Sequence, residues 1–344
     1  PLPMTVGDGV RQSTARAYLA EPRKNLQILR NTTVSQVVMD RGRALGVEAL
    51  IRGRLLRVHA NEEVILSAGA INSPQLLMLS GIGDADHLRE VGVTPVVDSA
   101  GVGQNLMDHL EVYVQQACTQ PLSLYKDLGL WGRMKIGLRW LFNQSGLGAT
   151  NHFEAGGFMR SDLSQPYPNI QFHFLPAAMS YDGTRKVQQH GFQAHVGPML
   201  PRSRGAVTLF SNNPLQAPKI FFNYMSESED WQVFRAAIRA ARDIFSQPAL
   251  AAVAGKELSP GATEQSDAQL DEFIRSHAES AYHPCGTCRM GTDAGAVVDP
   301  AGRVHGVDRL RVVDSSVFPH ITNGNLNAPT IMLAEKLADV IKQS

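Results

Sequence analysis

The feature that most constrains the fold is a short apolar run that passes at once into small residues. Residues 64–66 read Val-Ile-Leu and residues 68–70 read Ala-Gly-Ala. An apolar strand that ends in such a turn is typical of α/β proteins, in which the backbone approaches a ligand at the turn. A helix is predicted to follow, with Ser73 as its cap, Pro74 in its first turn and Gly81 at its end.

The C-terminal part of the chain shows the same pattern of a buried strand, a loop and a helix. Residues 310–313 read as a buried strand that delivers Asp314 to its carboxyl end, where open α/β sheets bind ligands. A loop rich in Asn and Gly follows, and residues 328–341 have the spacing of an amphipathic helix with Pro329 in its first turn. The free N–H groups of such a helix favour a phosphate, an enolate or a reduced flavin. In the plainer interpretation, Asn327 is only the N-cap of this helix.

Alternating apolar and polar residues predict further strands in two regions. The first region has candidate strands at 25–29, 34–39, 44–51 and 54–59, which suggest a small meander. The second region has candidate strands at 169–175, 192–200, 206–211 and 219–224. Residues 201–205 predict a hairpin connection, and Ser226 with Glu229 predicts a capping box for a helix that runs to about Phe245. The expected fold class is α/β or α+β, with an antiparallel sheet flanked by helices.

Composition excludes several classes of protein. The 344 residues carry 32 basic and 32 acidic side chains, so no positive excess favours nucleic acid as a partner. At about 150 residues per domain, the length predicts two domains. No apolar run reaches the ~18 residues that a membrane span needs. Three cysteines are too few for a secreted disulfide framework, so we expect a reducing, cytoplasmic compartment.

One histidine among turn-forming residues is the first candidate for chemistry. His283 precedes Pro284, which holds the histidine backbone extended, and Gly286 and Gly291 follow in the same loop. A loop of this kind can present an imidazole to a pocket. A buried, hydrogen-bonded core histidine is the alternative.

Two other interpretations of this loop are weaker. Cys285 and Cys288 have the spacing of a redox motif, but they follow a proline in a loop, so two small apolar side chains are expected. His277 and Glu279, with the cysteines, imitate the zinc deaminase signature. Only residues 280–283 separate the two halves, which is too short for a strand crossover, and we therefore expect no metal site.

Together, several segments resemble the glucose–methanol–choline (GMC) family of flavin-dependent alcohol oxidoreductases. Residues 69–83 are similar to the second signature of the family, 102–109 to the loop after it, and 200–205 to a hairpin of its substrate domain. The segments around His283 and Asn327 resemble the two active-site segments. Residues 151–158 and 173–178 are most similar to the choline dehydrogenase branch of the family.

The resemblance implies an FAD enzyme that oxidises a primary alcohol, with choline giving betaine aldehyde, by hydride transfer to the flavin. It implies that His283 is the general base and that Asn327 hydrogen-bonds the substrate oxygen. It also implies that Glu154 pairs with a trimethylammonium group, Tyr282 makes a cation–π contact and His173 lines the pocket. From the residues alone, Glu154 is equally well a solvated loop acid. A different alcohol, or ligand binding without turnover, stays open.

The resemblance also implies a discontinuous domain organisation. Residues 1–112 and 283–344 would form a partial FAD-binding domain, and 113–282 a substrate-binding domain. The positions that the resemblance places at the cofactor are Val34, Ala68, Gly69, Asp314, Ser315, Asn325, Pro329 and Thr330.

The G-x-G-x-x-G fingerprint of the family is absent from the sequence, and Pro1-Leu2-Pro3 reads like the interior of a longer chain. We therefore expect the isolated chain to bind FAD weakly or not at all and to have little activity. The electron acceptor, a quinone or oxygen, and the oligomeric state are left open. Any association with the cytoplasmic membrane would be peripheral, and no polybasic patch supports it.

Overall fold

The computed structural model describes residues 4–21, 23–179 and 189–343, so the start at Pro1–Pro3 lies outside the described residues. The α-helices are α1 Thr14–Leu19, α2 Gly69–Leu79, α3 Ala85–Glu90, α4 Leu130–Asn143, α5 Ser228–Ser246, α6 Pro248–Ala251, α7 Asp267–His277 and α8 Asn327–Lys342. Short 3₁₀-helices occupy Leu124–Asp127, Gly146–Ala149 and Ser315–Val317. The strands are β1 Val6–Gly7, β2 Val10–Arg11, β3 Thr32–Asp40, β4 Arg43–Ile51, β5 Arg54–His59, β6 Val64–Leu66, β7 Ile82–Gly83, β8 Val97–Asp98, β9 Leu110–Cys118, β10 Ala155–Met159, β11 Ile170–Leu175, β12 Gly191–Pro198, β13 Ala206–Thr208, β14 Lys219–Phe221, β15 Ala254–Ser259, β16 Glu279–Ser280 and β17 Leu310–Val312.

The backbone packs as two units. The sheet unit comprises the described residues of 1–27, 110–199 and 231–279, and the α/β unit those of 28–109, 200–230 and 280–344. Which ligand each part of the chain binds stays a prediction. The family resemblance assigns 1–112 and 283–344 to an FAD-binding domain and 113–282 to a substrate-binding domain. The packing units follow other boundaries at residues 1–27 and 200–230.

An antiparallel sheet with strand order β10-β11-β12-β9-β15 forms the centre of the sheet unit. Alternate residues of its strands point to opposite faces. On one face, the rings of Phe172 and Phe192 lie edge-on to Phe245 of α5, with centroids 6.1 and 5.0 Å away. The other face carries buried polar side chains, including Gln171, Gln193 and His195. The sheet therefore has an apolar face against a helix and a polar face available for hydrogen bonding.

The α/β unit contains the predicted meander β3-β4-β5 and two parallel strands, β6 and β17, that pair over their whole lengths. Val64, Leu66, Leu310 and Val312 of these two strands are buried in the core of the unit. Val64 and Leu66 share one face of β6, whereas Ile65 on its other face is exposed, so this strand is covered by the core on one face only. The predicted fold class is therefore confirmed, with mixed α/β packing and an antiparallel sheet flanked by helices.

The predicted start of α2 is wrong. The helix begins at Gly69 and not after Ser73, so Ser73 and Pro74 lie within it. The Ser73 hydroxyl accepts a hydrogen bond from the Ala68 N–H at 3.0 Å and donates one to Asp314 at 2.6 Å. The serine is thus held by a residue 241 positions away, which local pattern does not reveal. The predicted end of α2 is confirmed, since Gly81 has a left-handed backbone (φ +83°) just after the helix.

Two predicted strand features are also wrong. Residues 25–29 form no strand, and Leu26, Ile28 and Leu29 are exposed. Alternation alone does not form a strand here, because no strand of the described ranges pairs with this segment. Residues 201–205 do not close a hairpin, because β12 pairs with β9 and β11 whereas β13 pairs with β14.

Candidate active site

The loop that carries His283 is held in the α/β unit by backbone hydrogen bonds on two sides. The N–H and C=O groups of Met107 and Cys285 bond each other reciprocally at 3.0 Å. On the other side, the Cys288 N–H donates to the Ser316 carbonyl at 2.8 Å. Because the loop is fixed by main-chain contacts, the position of His283 does not depend on the packing of its own side chain.

A buried carboxylate organises the surroundings of this histidine. Asp108 is only 3% exposed, and its Oδ1 accepts the backbone N–H groups of His109 and His283 at 2.9 and 2.8 Å. Its Oδ2 accepts the hydroxyls of Tyr224 and Ser280 at 2.6 and 2.5 Å. Burial, and then the negative charge of Asp108, raise the pKa of Tyr224, so this phenol stays a hydrogen-bond donor. The four bonds satisfy a carboxylate that would be costly to bury alone.

The two ring nitrogens of His283 have different neighbours. Nδ1 lies 3.0 Å from Nδ1 of His109, which is fully buried, and the two rings meet edge-to-face with centroids 5.1 Å apart. Nε2 lies 3.3 Å from Nδ2 of Asn325, whose side chain is exposed. One nitrogen is therefore held in the interior, and the other lies at the solvent side of the loop.

The remaining members of the loop differ in character. Tyr282 is 78% exposed and has a left-handed backbone (φ +60°), which is uncommon for a residue with a side chain. Cys285 and Cys288 are fully buried, and burial raises the pKa of the Cys285 thiol to about 12. Burial also raises the pKa of Cys288. Both cysteines are therefore uncharged thiols at neutral pH, in agreement with the expected role as small apolar side chains.

The predicted cofactor positions at the ends of β6 and β17 are brought together. The Gly69 N–H donates to Asp314 Oδ2 at 2.9 Å, and the Ser315 hydroxyl donates to the Pro284 carbonyl at 3.1 Å. Ala68 directly precedes α2, and Gly69 has a left-handed backbone (φ +81°). A side chain at Gly69 would meet no atom within 4 Å, so its backbone faces open space. This is a place where a flat ligand could approach the main chain.

The other predicted positions lie at the start of α8 and in the meander. Asn327 is the first residue of α8 and is exposed, with Leu326 at the N-cap position and no side-chain cap, so the predicted capping role of Asn327 is wrong. Pro329 and Thr330 follow in the first turn, where the Thr330 hydroxyl donates to the Leu326 carbonyl at 2.8 Å. Val34 lies in β3 opposite Ala49 of β4.

The candidate residues for a cationic ligand lie in the sheet unit. Glu154 is exposed just before β10 and accepts a hydrogen bond from the Thr150 hydroxyl. His173 of β11 lies directly opposite His195 of β12. The Phe153 ring stands edge-on to both, with centroids 6.1 Å from His173 and 5.2 Å from His195. Glu154 therefore adjoins an aromatic group on the polar face of the sheet.

Sequence reasoning missed two sets of polar residues. In the α/β unit it assigned no role to Asp108 or His109, although the segment 102–109 carried the family resemblance. In the sheet unit it missed His195, whose Nδ1 lies 2.9 Å from Glu111 and whose Nε2 lies 2.7 Å from Gln193. The available signal was the alternation of polar residues along β12, which predicts a hydrogen-bonded face on a strand.

Comparison with protein families identifies the chain's relatives. Residues 2–111 and 201–334 match the N- and C-terminal family models described as GMC oxidoreductase, which together cover more than half of the chain. An oxygen-dependent choline dehydrogenase of Cronobacter sakazakii is 54% identical over 339 residues, 97% of this chain and 60% of that protein. One of Brucella canis is 53% identical over 345 residues, 99% of this chain and 63% of that protein. The chain thus spans roughly three fifths of the length of these curated relatives.

Solved structures show the same fold. A formate oxidase superposes with a TM-score of 0.92 at 27% identity, covering 98% of this chain and 64% of its own. Pyridoxine 4-oxidase from Mesorbium loti superposes with a TM-score of 0.86 at 31% identity, covering 98% of this chain and 63% of its own. The family and these neighbours are FAD-binding flavoenzymes.

Proposed function

Because the chain belongs to the GMC oxidoreductase family, we propose that it serves FAD-dependent oxidation of a primary alcohol, choline, to betaine aldehyde. The observation that carries the proposal is the asymmetry of His283, with Nδ1 against a buried histidine and Nε2 beside an exposed amide. A general base needs such an arrangement, since one nitrogen must be oriented and the other reachable. The names of the relatives, which are longer proteins, support choline as the alcohol.

The proposed reaction removes a proton from the hydroxyl and a hydride from the carbinol carbon, which leaves an aldehyde. His283 takes the hydroxyl proton at Nε2. Asn325 lies beside Nε2 of His283, and Asn327 is the first residue of α8. We propose that their amides hydrogen-bond the substrate oxygen as it develops negative charge. FAD, when bound, supplies the two-electron acceptor. The buried Asp108 carboxylate, bonded to the His283 N–H, favours the imidazolium that results.

The residues at the ends of β6 and β17 fit an extended planar cofactor. Gly69 combines a left-handed backbone with open space where a side chain would lie. Asp314 ties the Gly69 N–H to the second strand, so the turn is held in place before any ligand binds. We assign Ala68, Gly69, Asp314 and Ser315 to the flavin side. Val34, Asn325, Pro329 and Thr330 complete the proposed cofactor set.

Absorbance and fluorescence measure flavin binding without turnover. Titration of the chain with FAD is predicted to show weak or no binding, in keeping with the absent G-x-G-x-x-G turn. A Gly69→Val variant would lose any residual affinity, because its side chain fills the open space and strains the left-handed backbone. Stoichiometric flavin in the purified chain would show that the expected weak binding is wrong.

Recognition of choline requires a partner for its trimethylammonium group. Glu154 provides an exposed carboxylate, and its chain neighbour Phe153 has its ring centroid 6.1 Å from that of His173. Tyr282, in the other unit, is an exposed ring whose cation–π role stays a separate prediction from the family resemblance. A carboxylate next to aromatic rings is the combination that recognises a quaternary ammonium ion.

A charge-specific test separates choline from other alcohols. In a longer protein that carries this sequence together with a G-x-G-x-x-G segment and binds FAD, Glu154→Gln is predicted to lower kcat/KM for choline by about tenfold or more, since a desolvated ion pair with the cation is lost. The neutral analogue 3,3-dimethylbutan-1-ol should be oxidised at an unchanged rate. Glu90→Gln, at an exposed position of α3, is the matched control. Equal losses for both alcohols would instead favour a GMC enzyme for a different alcohol.

Two electron acceptors are compatible with the family, a membrane quinone and oxygen. The relatives named oxygen-dependent support oxygen, whereas binding of the protein to a membrane would support a quinone. Parallel assays of oxygen uptake and of quinone reduction in the same flavin-loaded protein distinguish them. Faster reduction of a soluble quinone than of oxygen would identify the dehydrogenase reaction.

Helix α4 supports peripheral binding to a membrane. Its exposed apolar residues span about 120° of the helix circumference and comprise Leu130, Trp131, Met134, Leu138, Leu141 and Phe142. Arg133, Lys135 and Arg139 flank this face, and α4 contains no acidic residue. Cations beside an apolar face suit an anionic lipid surface. Among the residues that the structure describes, no helix has the length and apolarity to cross a bilayer.

A further inference from the structure

We propose that His109 is a positioning residue, which fixes His283 as the tautomer with hydrogen on Nδ1 and the acceptor lone pair on Nε2. The inference deepens the proposed function and rests on it, because only a base that acts through Nε2 needs this tautomer. It starts from a contact between two imidazoles in the α/β unit, Nδ1 to Nδ1 at 3.0 Å.

The tautomer follows from counting hydrogens along a chain of three side chains. In the contact between the two Nδ1 atoms, one nitrogen must donate and the other must accept. Asn325 places its amide nitrogen, which can only donate, 3.3 Å from Nε2 of His283. Nε2 of neutral His283 is therefore the acceptor and Nδ1 carries the hydrogen. His109 must then accept at Nδ1 and carry its own hydrogen on Nε2.

The backbone makes this arrangement rigid. The N–H groups of both histidines bond the same oxygen, Oδ1 of Asp108, at 2.9 and 2.8 Å. The His109 carbonyl also accepts the Ala281 N–H at 2.8 Å, two residues before His283. His109 is fully buried. The main-chain bonds fix the backbone from which both side chains start, and burial restricts the His109 ring, so the acceptor on His109 stays near His283.

The same contact assists the base after it has reacted. When His283 takes a proton at Nε2, both of its nitrogens carry hydrogen. The bond from Nδ1 to His109 is then charge-assisted and stronger than the bond to the neutral ring. His109 therefore stabilises the protonated base, as the residue that orients the histidine does in other proton-transfer groups.

Histidine-selective ¹⁵N labelling of the 344-residue chain tests the tautomer without substrate, cofactor or turnover. The His283→Ala spectrum identifies the signals of His283 by difference. In the wild-type chain we expect a protonated Nδ1 and an unprotonated Nε2 for His283. A protonated Nε2 in the neutral ring would overturn the proposal.

Two variants of His109 then separate positioning from packing. His109→Leu keeps an apolar volume but removes the acceptor, and we expect His283 to shift to the Nε2-protonated form. His109→Asn returns an amide oxygen near the place of Nδ1 and should restore the wild-type tautomer. An unchanged tautomer in a His109→Leu chain, with a native amide spectrum, would contradict the proposal. If His109→Leu does not fold, the wild-type and His109→Asn spectra still test the proposal. Protonated Nε2 in neutral His283 of either chain would contradict it.

Kinetics of a longer protein that carries this sequence together with a G-x-G-x-x-G segment and binds FAD show whether the tautomer affects turnover. His109→Leu should lower kcat on the order of 10²-fold, because general base catalysis contributes about 10²–10⁴-fold, while KM changes little. His109→Asn should recover most of the loss. A tautomer that responds as expected while His283→Ala keeps full activity would refute the proposed function and leave the hydrogen-bond assignment standing.

Discussion

Two histidines, one in each packing unit, show what distinguishes a structural imidazole from an available one. His195 in the sheet unit is 2% exposed, with Glu111 at 2.9 Å from one nitrogen and Gln193 at 2.7 Å from the other. His283 in the α/β unit has one nitrogen against a buried ring and the other beside exposed Asn325. Each histidine lies near a carboxylate, so proximity of an acid does not separate them. The two histidines differ in the second ring nitrogen, which meets buried Gln193 in His195 and exposed Asn325 in His283.

The difference arises from the elements that carry the two rings. His195 is in the middle of β12, between two paired strands, where both nitrogens meet neighbouring side chains. His283 is in a loop whose main chain is fixed, so its ring needs only one side-chain contact for orientation. Under the proposed function, the general base belongs to the α/β unit, whereas Glu154 and the exposed apolar residues of α4 belong to the sheet unit.

The largest expected effect comes from removing each ring in turn. His283→Ala should slow anaerobic reduction of the bound flavin by choline about 10²–10⁴-fold, since it removes the general base. His195→Gln should lower the melting temperature but slow this reaction less than about tenfold, because His195 only supports the sheet. Absorbance in a stopped-flow experiment measures both variants. Similar rate losses in the two variants would contradict the proposal that His283 is the general base and His195 only a structural residue.

Next in size is the loss of the Asp108 carboxylate. Asp108→Ala should lower the free energy of unfolding by at least about 3 kcal/mol, because it leaves several buried donors unsatisfied, each costing about 1–3 kcal/mol. Urea denaturation followed by circular dichroism measures this change. Asp86→Ala, at an exposed position of α3, is the control. A change below 1 kcal/mol for Asp108→Ala would mean that the loop is held by its main chain alone.

A smaller effect is expected at α4 of the sheet unit, the helix proposed to bind a membrane surface. Leu141→Gln with Phe142→Gln should weaken binding to anionic phosphatidylglycerol vesicles about tenfold or more, because two large apolar side chains are worth about 1.5–3 kcal/mol each when buried. Leu163→Gln, which alters an exposed apolar side chain outside α4, should not. Vesicle sedimentation measures the bound fraction, and light scattering detects self-association. Dimerisation through α4 without lipid binding would show that a second copy of the chain, and not a membrane, covers the apolar face of this helix.

The smallest expected effect is a pH dependence of stability in the α/β unit. Burial raises the pKa of Cys285 from 9.0 to about 12, so its thiol favours the folded state below pH 9, and this contribution is lost as pH rises towards 12. Cys285→Ala should therefore flatten the decline of unfolding free energy over this range. Urea titrations at a series of pH values provide the measurement. An unchanged slope would indicate that Tyr224, whose pKa burial also raises, dominates the decline.

The sequence was sufficient to predict the elements whose signals are local. The strand Val64–Leu66, the buried strand before Asp314 and the loop at His283 were placed correctly, whereas Gly69 and Ala70 of the predicted turn lie in α2. The hydrogen bonds that organise them were not predictable. Ser73 was interpreted as a helix cap because its actual partner, Asp314, lies 241 residues away.

The same limit explains why the surroundings of His283 were missed. Asp108 and His109 are 175 and 174 residues from His283, and nothing in their local pattern shows that they meet it. The alternation of Gln193 and His195 predicts a polar face on β12, but the partners of His195 required the register of three strands. Residue chemistry therefore indicated the base, whereas its orientation required the fold.

Chemical modification of both histidines in one sample tests the central claim most directly. Diethyl pyrocarbonate acylates a neutral, accessible imidazole nitrogen, and peptide mass spectrometry measures the rate at each position. We expect His283 to react readily, while His195 and His109 stay unmodified until the chain is unfolded by urea. Equal rates at His283 and His195 in the folded chain, or faster reaction at His195, would contradict the assignment of His283 as the available base.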